Sequence, residues 1–307
     1  MSFFDRVENR LLRTIDRLFD RRPPEPLDDR NLARCRVVSH RGEHDGRTLL
    51  ENTLPAFDAA VALGVWGIEC DLRWTRDLVP VVIHDADLRR VFGLGRTVAA
   101  CTLEELRQDC PGLPTLAEVI GRYGGRTHLM VELKQERYPD PRRQNRILED
   151  LFAGVAPGVD FHLLSLVPEM FRRAPFAPPS ACLPVARWNV PQLSRLALRR
   201  GYAGVAGHYA LVGDAAIRRH HGAGQSVGTG YPRSLPVLVR EINRGVDWIF
   251  CGHARRVQGW VRRLQRSGDA GHDGRAASSC TRQSRIAPKT KRTRSDRMPA
   301  REASCPT

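Results

Sequence analysis

Two short stretches of the sequence pair a histidine with a charged residue. His40 precedes Arg41, and His84 precedes Asp85. An unperturbed histidine has a pKa of about 6.5. Two histidines on opposite sides of a phosphorus can therefore serve as general base and general acid near neutrality. Arg41 adds a permanent cation that binds oxyanions in a bidentate manner. These residues predict proton-transfer chemistry on an anionic substrate.

Acidic residues also recur at alternate positions in two apolar stretches. Glu69 and Asp71 flank Cys70, and Glu132 is followed two residues later by Lys134. Because residues two apart in a β-strand point to the same side, each pair shares one face. Three carboxylates supply hard oxygen ligands, which suit Mg²⁺ or Ca²⁺ better than zinc. Lys134 adds a second cation for a phosphate group.

Each of these pairs, taken alone, has an ordinary structural explanation. A histidine at a strand end often makes a structural hydrogen bond, alternating carboxylates often lie on a solvated edge, and Glu-x-Lys often forms a cross-strand ion pair. Convergence of the pairs in one place is a different matter, since burying so many charges is costly unless something neutralises them. A metal ion and a phosphate would do so.

The elements that must position these residues are alternating strands and helices, from Cys35 to about Trp260. Candidate strands are Cys35–Ser39, Trp66–Leu72, Val79–His84, His128–Leu133, Phe161–Ser165, Ala181–Ala186, Ala203–Gly207, Gln225–Gly228 and Val246–Phe250. Candidate helices are Thr53–Leu63, Thr102–Gln108, Leu116–Tyr123, Arg142–Phe152, Val190–Arg200, Asp214–His221 and Leu235–Arg244. Such alternation predicts a parallel sheet, and eight or nine strands favour an α/β barrel of the TIM type.

One connection does not fit a simple barrel. Only residues 73–78 separate the second and third strands, whereas a parallel crossover needs about a dozen residues. We therefore expect the third strand to fold back near the second or to form an irregular addition. The candidate site residues all lie at the C-terminal ends of their strands, the end that holds the active site in barrel enzymes.

The overall composition is that of a basic globular protein. The chain has 307 residues, a formal net charge of +15 and a sequence pI of about 10.3. This charge favours anionic partners: phosphorylated substrates, anionic membrane surfaces or nucleic acid. The eight cysteines form no CxxC pair. With no signal peptide and no apolar run of about 18 residues, we expect reduced thiols and a cytoplasmic location.

The two ends of the chain differ from the predicted barrel domain of residues 35–262. Residues 1–22 predict an amphipathic helix with arginines on its polar face. It either packs across the bottom of the domain or makes a peripheral membrane contact. Residues 267–307 predict a disordered basic tail, either solvated without a specific partner or in contact with nucleic acid or lipid headgroups.

Several motifs together resemble those of the glycerophosphodiester phosphodiesterases over roughly residues 35 to 255. They are His40-Arg41-Gly42, residues 51–57 (ENTLPAF), 67–72 (GIECDL), 75–77 (TRD), 80–85 (PVVIHD), 114–119 (PTLAEV), Glu132-Leu133-Lys134 and residues 245–249 (GVDWI). The resemblance implies a TIM-type barrel. It also implies metal-dependent cleavage of a glycerophosphodiester to glycerol 3-phosphate and an alcohol.

The resemblance further assigns roles to individual residues. These are proton transfer for His40 and His84; metal binding for Glu69, Asp71 and Glu132; phosphate binding for Arg41 and Lys134; and support of the site for Glu51. The metal would neutralise phosphoryl oxygens and activate a hydroxyl or water. For Asn52 we expect a structural role, as the cap of the helix that begins beside it.

The sequence departs from the family near the eighth predicted strand. The family typically has Trp-Thr-Val-Asn there, and this chain has residues 229–233 (TGYPR) instead. Tyr231 is a candidate aromatic surface and Arg233 a candidate phosphate contact, so the alcohol moiety is expected to differ from that of glycerophosphocholine. Two alternatives remain open: phospholipase D-like cleavage of lysophospholipids, with release of a cyclic phosphate, and an anion- or lipid-binding barrel that has lost catalysis.

Overall fold

The computed structural model describes Thr14, residues 17–19 and residues 26–266. The predicted N-terminal helix lies mostly outside the described residues, and the predicted basic tail lies entirely outside them. Of the N-terminal segment, Phe19 packs edge-on against the ring of Tyr209 at 5.5 Å and beneath the guanidinium of Arg240. At this residue the apolar face contacts protein, as the packing interpretation expects.

The described residues form nine strands. They are β1 (Arg36–His40), β2 (Gly67–Trp74), β3 (Pro80–Val82), β4 (His128–Leu133), β5 (Phe161–Ser165), β6 (Cys182–Ala186), β7 (Gly204–His208), β8 (Ser226–Gly230) and β9 (Trp248–Cys251). Eight of them are parallel, and the pairing of β1 with both β9 and β2 closes the barrel. The predicted TIM-type fold is confirmed.

Helices surround the barrel. They are α1 (Asp29–Arg34), α2 (Leu54–Ala62), α3 (Arg89–Phe92), α4 (Leu103–Asp109), α5 (Leu116–Tyr123), α6 (Pro141–Phe152), α7 (Val190–Arg200), α8 (Asp214–Gly222) and α9 (Leu235–Asn243), and residues 254–266 are helical as well. Short 3₁₀ turns cover Val98–Ala100, Pro168–Arg173 and Pro179–Ala181. None of the helices in the described part of the chain has the length and hydropathy needed to cross a membrane.

β3 is the strand that the sequence expected to fold back. β3 runs antiparallel to the end of β2, with Leu72 opposite Val82 and Trp74 opposite Pro80. The short connection between the two strands makes this hairpin the only pairing within reach, because a parallel crossover would need more chain. β3 therefore extends β2 above the barrel and delivers His84 to the same end as the carboxylates of β2.

Three clusters of buried apolar side chains stabilise the described residues, and the largest lies among the strands and the surrounding helices. The barrel interior contains Val38, Met130, Leu164, Leu183, Ala206, Trp248 and Phe250. A separate small core lies under the segment between β3 and α5 and contains Val81, Ile83, Leu88, Val98, Cys101, Leu106, Cys110 and Leu113. Burial of an aliphatic or aromatic side chain contributes about 1.5–3 kcal/mol. The small core therefore gives this insertion a packed structure of its own.

The N-terminal end of the barrel is closed by a pair of buried histidines. His128 stacks on Trp66 at 4.2 Å, and its Nδ1 donates to the carbonyl of Val159 at 2.8 Å. Its Nε2 lies 2.7 Å from Nδ1 of His162. Both rings are nearly inaccessible, at 6 % and 5 %. Burial lowers the pKa of His128 to about 4 and that of His162 to about 3.

These histidines predict a loss of stability in mild acid. The unfolded chain binds their protons near pH 6.5 and the folded chain only near 4 and 3. Above about pH 6.5 both histidines are neutral in the folded and in the unfolded chain, so they do not make the stability depend on pH. Below it, the free energy of unfolding is expected to fall by up to about 1.4 kcal/mol per pH unit for each histidine. Urea unfolding of wild type and His128→Gln/His162→Gln at pH 7 and 5 checks this; equal pH slopes in the two proteins would contradict it.

Candidate active site

Three carboxylates meet at the C-terminal ends of β2 and β4. One oxygen each of Glu69, Asp71 and Glu132 lie within 4.8 Å of one another. The strand register places Asp71 opposite Glu132, and alternation along β2 puts Glu69 on the face of Asp71. All three are buried. A compact set of hard oxygen donors suits Mg²⁺ or Ca²⁺, so these residues fit the metal that the sequence predicted.

Two cations lie directly against this cluster. The ammonium of Lys134 is 2.7 Å from Asp71 Oδ1 and 2.8 Å from Glu132 Oε1. Arg41 Nε is 3.1 Å from Asp71 Oδ2, and its Nη1 donates to Glu51 Oε1 at 2.9 Å. The structure thus brings the predicted phosphate-binding residues to the predicted metal ligands. Glu51 does not belong to the carboxylate cluster; Arg41 lies between Glu51 and Asp71 and contacts both.

Burial and mutual repulsion act against ionisation of the carboxylates. Desolvation and the Asp71 charge raise the pKa of Glu69 well above its usual value, and burial raises the pKa of Glu132. Burial would also raise the pKa of Asp71, but Lys134 and Arg41 hold it below its usual range. A further cation would favour the ionised forms of Glu69 and Glu132, because opposite charge stabilises a carboxylate.

His40 ends β1 beside this cluster. It lies opposite Glu69 in the strand register, and its Nε2 is 3.7 Å from Glu69 Oε2. Tyr231 packs edge-on against its ring at 5.0 Å. Burial lowers the pKa of His40, and the positive charge of Arg41 lowers it further. The neutral imidazole, which can accept a proton, is therefore the favoured form at neutral pH.

His84 follows β3 and is held by its neighbours on two sides. Its Nδ1 lies 2.7 Å from Asp85 Oδ1, and its carbonyl accepts from Arg73 Nε at 2.8 Å. The carboxylate favours the tautomer that carries the proton on Nδ1, which leaves Nε2 to exchange a proton with substrate. Burial lowers the pKa of His84, and the Asp71 charge opposes that shift. Asp71 acts on the pKa of both histidines, so the two rings share one mouth.

The loop after β1 needs a backbone that few residues adopt. Arg41 has a φ of 61° and Gly42 a φ of 81°. A Cβ on Gly42 would lie 2.7 Å from the backbone of Ala56, the third residue of α2. Only glycine allows this close approach, and the turn aims the Arg41 side chain back at Asp71.

The expected role of Asn52 is wrong. Thr53 caps α2 instead, with an extended φ of −121° and a side chain that accepts from the amide of Ala56. Asn52 has a φ of 56°, in the left-handed region that asparagine tolerates but an N-cap does not use. Its side chain donates to Asp71 Oδ2 at 2.7 Å and accepts from the Asp71 amide at 3.3 Å. It therefore holds a metal-ligand candidate in place.

Two charged residues at the site were not assigned a role from the sequence. Asp85 holds His84, and Arg90 of α3 holds Asp85 through Nε at 2.5 Å. Arg90 also donates to Glu51 Oε2 at 2.8 Å and to Glu51 Oε1 at 2.7 Å. A carboxylate next to a candidate catalytic histidine is a sequence signal for the first of these. The reach of Arg90 to Glu51 depends on the fold.

The other half of the mouth has a different surface. Exposed apolar or aromatic side chains follow β5 and β6, at Leu166 and Trp188, and follow β8 at Tyr231 and Leu235. Tyr231 directly follows Gly230, the last residue of β8, and its exposed ring is the aromatic surface that the sequence suggested at this position. Arg233 is engaged in an interaction of its own, and its role as a phosphate contact stays a prediction.

The comparisons with known proteins agree on one family. Residues 40–167 match the sequence model of the glycerophosphoryl diester phosphodiesterase family. A glycerophosphodiester phosphodiesterase of Caldanaerobacter subterraneus is 36 % identical over 110 residues, which is 32 % of this chain and 44 % of that protein. The human lysophospholipase D GDPD3 is 41 % identical over 73 residues, 24 % of this chain and 22 % of that protein. The chain thus spans less than half the length of these two relatives.

Solved structures extend the likeness to most of the described barrel. A phosphodiesterase of Oleispira antarctica, in complex with the product sn-glycerol-3-phosphate, superposes with a TM-score of 0.61 at 23 % identity. The match covers 74 % of this chain and 96 % of that one. At this identity the likeness concerns the fold. The family resemblance predicted from the motifs is confirmed.

Proposed function

We propose, from the match of residues 40–167 to the glycerophosphoryl diester phosphodiesterase family and from the similarity to glycerophosphodiester phosphodiesterases, that this chain hydrolyses a glycerophosphodiester to glycerol 3-phosphate and an alcohol. The observation that carries the proposal is the convergence of three carboxylates, two cations and two histidines at one barrel mouth. The product named for the structural neighbour from Oleispira antarctica supports glycerol 3-phosphate as the product here.

The charge of the site fits a divalent metal and a phosphodiester together. With all three carboxylates ionised, the cluster and its cations Arg41 and Lys134 carry one net negative charge. A divalent ion held by Glu69, Asp71 and Glu132 would turn this into one net positive charge. A phosphodiester is a monoanion, so its binding would bring the buried site to neutrality and avoid the cost of an uncompensated charge.

The residues of the chain then have distinct tasks. A Mg²⁺ or Ca²⁺ ion held by the three carboxylates would supply Lewis-acid stabilisation of the phosphate group. Arg41 and Lys134 bind the phosphate group and orient the phosphorus between the histidines. One of His40 and His84 takes the proton of the attacking hydroxyl or water, and the other gives a proton to the leaving alcohol oxygen. Asp85 keeps the His84 ring in the required tautomer.

The test is release of glycerol 3-phosphate from a panel of glycerophosphodiesters, assayed with Mg²⁺ or Ca²⁺ and with excess EDTA. We expect release that stops with EDTA and resumes when the ion is restored. Glycerol 3-phosphate offered as substrate is the control, since a phosphomonoester should persist. Release that continues in EDTA would overturn the metal proposal. Binding of the diesters without release would favour the barrel that has lost catalysis.

A specific observation favours a second candidate, cleavage of lysophospholipids. The exposed Leu166, Trp188, Tyr231 and Leu235 present apolar surface beside the site, as an acyl chain requires. One relative is named a lysophospholipase D. Phosphorus NMR of a lysophosphatidylcholine reaction decides the chemistry. A phosphomonoester indicates hydrolysis, a persistent cyclic phosphate indicates the lyase reaction, and unchanged substrate excludes this candidate.

A further inference from the structure

We propose that Arg90 and Glu51 form a clamp that positions both histidines, and that Arg90 acts through Asp85 and Glu51 without touching the substrate. The contacts of the described residues carry the clamp itself. Its expected effect on turnover rests on the proposed function. It assigns a task to a segment that contributes no residue to the metal cluster or to proton transfer.

All three nitrogens of the Arg90 guanidinium donate to carboxylates. Nε bonds Asp85 at 2.5 Å, and the two terminal nitrogens bond the two oxygens of Glu51 at 2.8 and 2.7 Å. The pair with Glu51 is the bidentate geometry in which arginine binds a carboxylate most specifically. Lysine carries its three donors on one nitrogen, so it cannot reproduce the spaced, planar pair of bonds to Glu51 together with the bond to Asp85.

The clamp joins two loops that are far apart in the chain. On one side Asp85, which Arg90 holds, contacts Nδ1 of His84 at 2.7 Å and so fixes the orientation of that ring. On the other side Glu51 accepts from Arg41 at 2.9 Å, and Arg41 directly follows His40. Arg90 and Glu51 are 39 residues apart. The histidine that follows β3 and the histidine that ends β1 are thereby fixed relative to one another.

The clamp is anchored beside a packed core. The helix that contains Arg90, α3, begins directly after the fully buried Leu88 of the small core. The amide of Leu88 donates to the carbonyl of Arg96, which ties the two ends of this turn together. Glu51 is largely buried, with 11 % of its side chain exposed, and despite that burial its bonds to Arg90 and Arg41 lower its pKa to about 2. A permanently ionised Glu51 keeps the bidentate pair intact across the working pH range.

The experiment compares Arg90→Gln, Arg90→Lys and Glu51→Gln with the exposed neighbouring variant Arg89→Gln as matched control. We expect Arg90→Gln to lower kcat by about 10–100-fold with KM nearly unchanged, the size typical of residues that orient a catalytic group. Arg90→Lys should recover little of this loss, and Arg89→Gln should behave as wild type. Because Arg90 and Glu51 form one unit, the double variant Arg90→Gln/Glu51→Gln should lose no more of kcat than the more impaired of the two single variants.

A second readout does not depend on turnover. In wild type, imidazole NMR of His84 should show the Nδ1-protonated tautomer with a hydrogen-bonded, downfield Nδ1 proton, and Arg90→Gln should broaden or shift that signal. A raised KM at unchanged kcat would overturn the proposal in favour of a substrate contact. Unchanged kcat and an unchanged His84 signal would overturn the clamp itself. If wild type cleaves no diester, the proposed function fails, and the NMR signal alone then decides the clamp.

Discussion

Replacing His84 by alanine is expected to lower kcat by about 10²–10⁴-fold, the usual worth of proton transfer by a positioned side chain. The reason lies in the bonding of the ring. Nδ1 of His84 is hydrogen-bonded to Asp85 at 2.7 Å, so its Nε2 atom is available to the reacting oxygen. The ring is 34 % exposed, so its removal deletes little packing and the fold should survive. His40→Ala should lose turnover to a similar extent.

The leaving group can separate the two histidines. A diester whose alcohol is p-nitrophenol needs no protonation to depart, so the variant that lacks the general acid should recover most of its rate with it. The variant that lacks the general base should not recover. His221→Ala is the control, because this histidine lies on α8 and pairs with Asp247, which precedes β9, at the opposite end of the barrel from the mouth. A wild-type rate in either active-site variant would refute its assignment.

Local sequence signals were sufficient for most of the barrel. The ends of α5 and α7 coincide with the prediction, because Thr115 forms a capping box with Glu118 and because Gly201 takes the left-handed C-cap. The other predicted strands and helices end within two residues of the observed ones. β8 was predicted too short, since Gly228 and Gly230 break its apolar alternation. Gly228 is required there because a Cβ would lie 2.8 Å from the ring of Phe250.

The site was predictable to the extent that it depends on strand alternation. Glu69 and Asp71 face one side by the period of a strand, and the barrel brings Glu132 to them through a pairing that the strand order dictates. The bonds of Asn52 and Arg90 were not predictable in the same way. The first depends on a left-handed backbone, and the second on a contact across 39 residues of chain. Neither leaves a local pattern.

Asp71 is the residue on which stability and metal binding both depend. It is fully buried, it forms ion pairs with Lys134 and Arg41, and it accepts a hydrogen bond from Asn52. Asp71→Asn leaves two buried cations short of a partner, so we expect the free energy of unfolding to fall by about 3–5 kcal/mol. Affinity for Mg²⁺ or Ca²⁺ should be lost in the same variant, because one of three charged ligands is gone.

Urea unfolding and calorimetric titration of the metal measure the two effects separately. Asp58→Asn is the matched control. Its carboxylate pairs with the exposed Arg122, and such surface pairs contribute about 0–1 kcal/mol. It also accepts from the hydroxyl of Tyr123 at 2.8 Å, a bond that an asparagine oxygen can keep. Asp71→Asn/Lys134→Met also removes the ammonium that has lost its Asp71 partner, so it should regain part of the stability, since replacing both partners of a buried pair is tolerated better than removing one. It should regain no metal affinity. An Asp71→Asn protein with the stability and metal affinity of wild type would show that neither the ion pairs nor the carboxylate cluster has the role proposed for it.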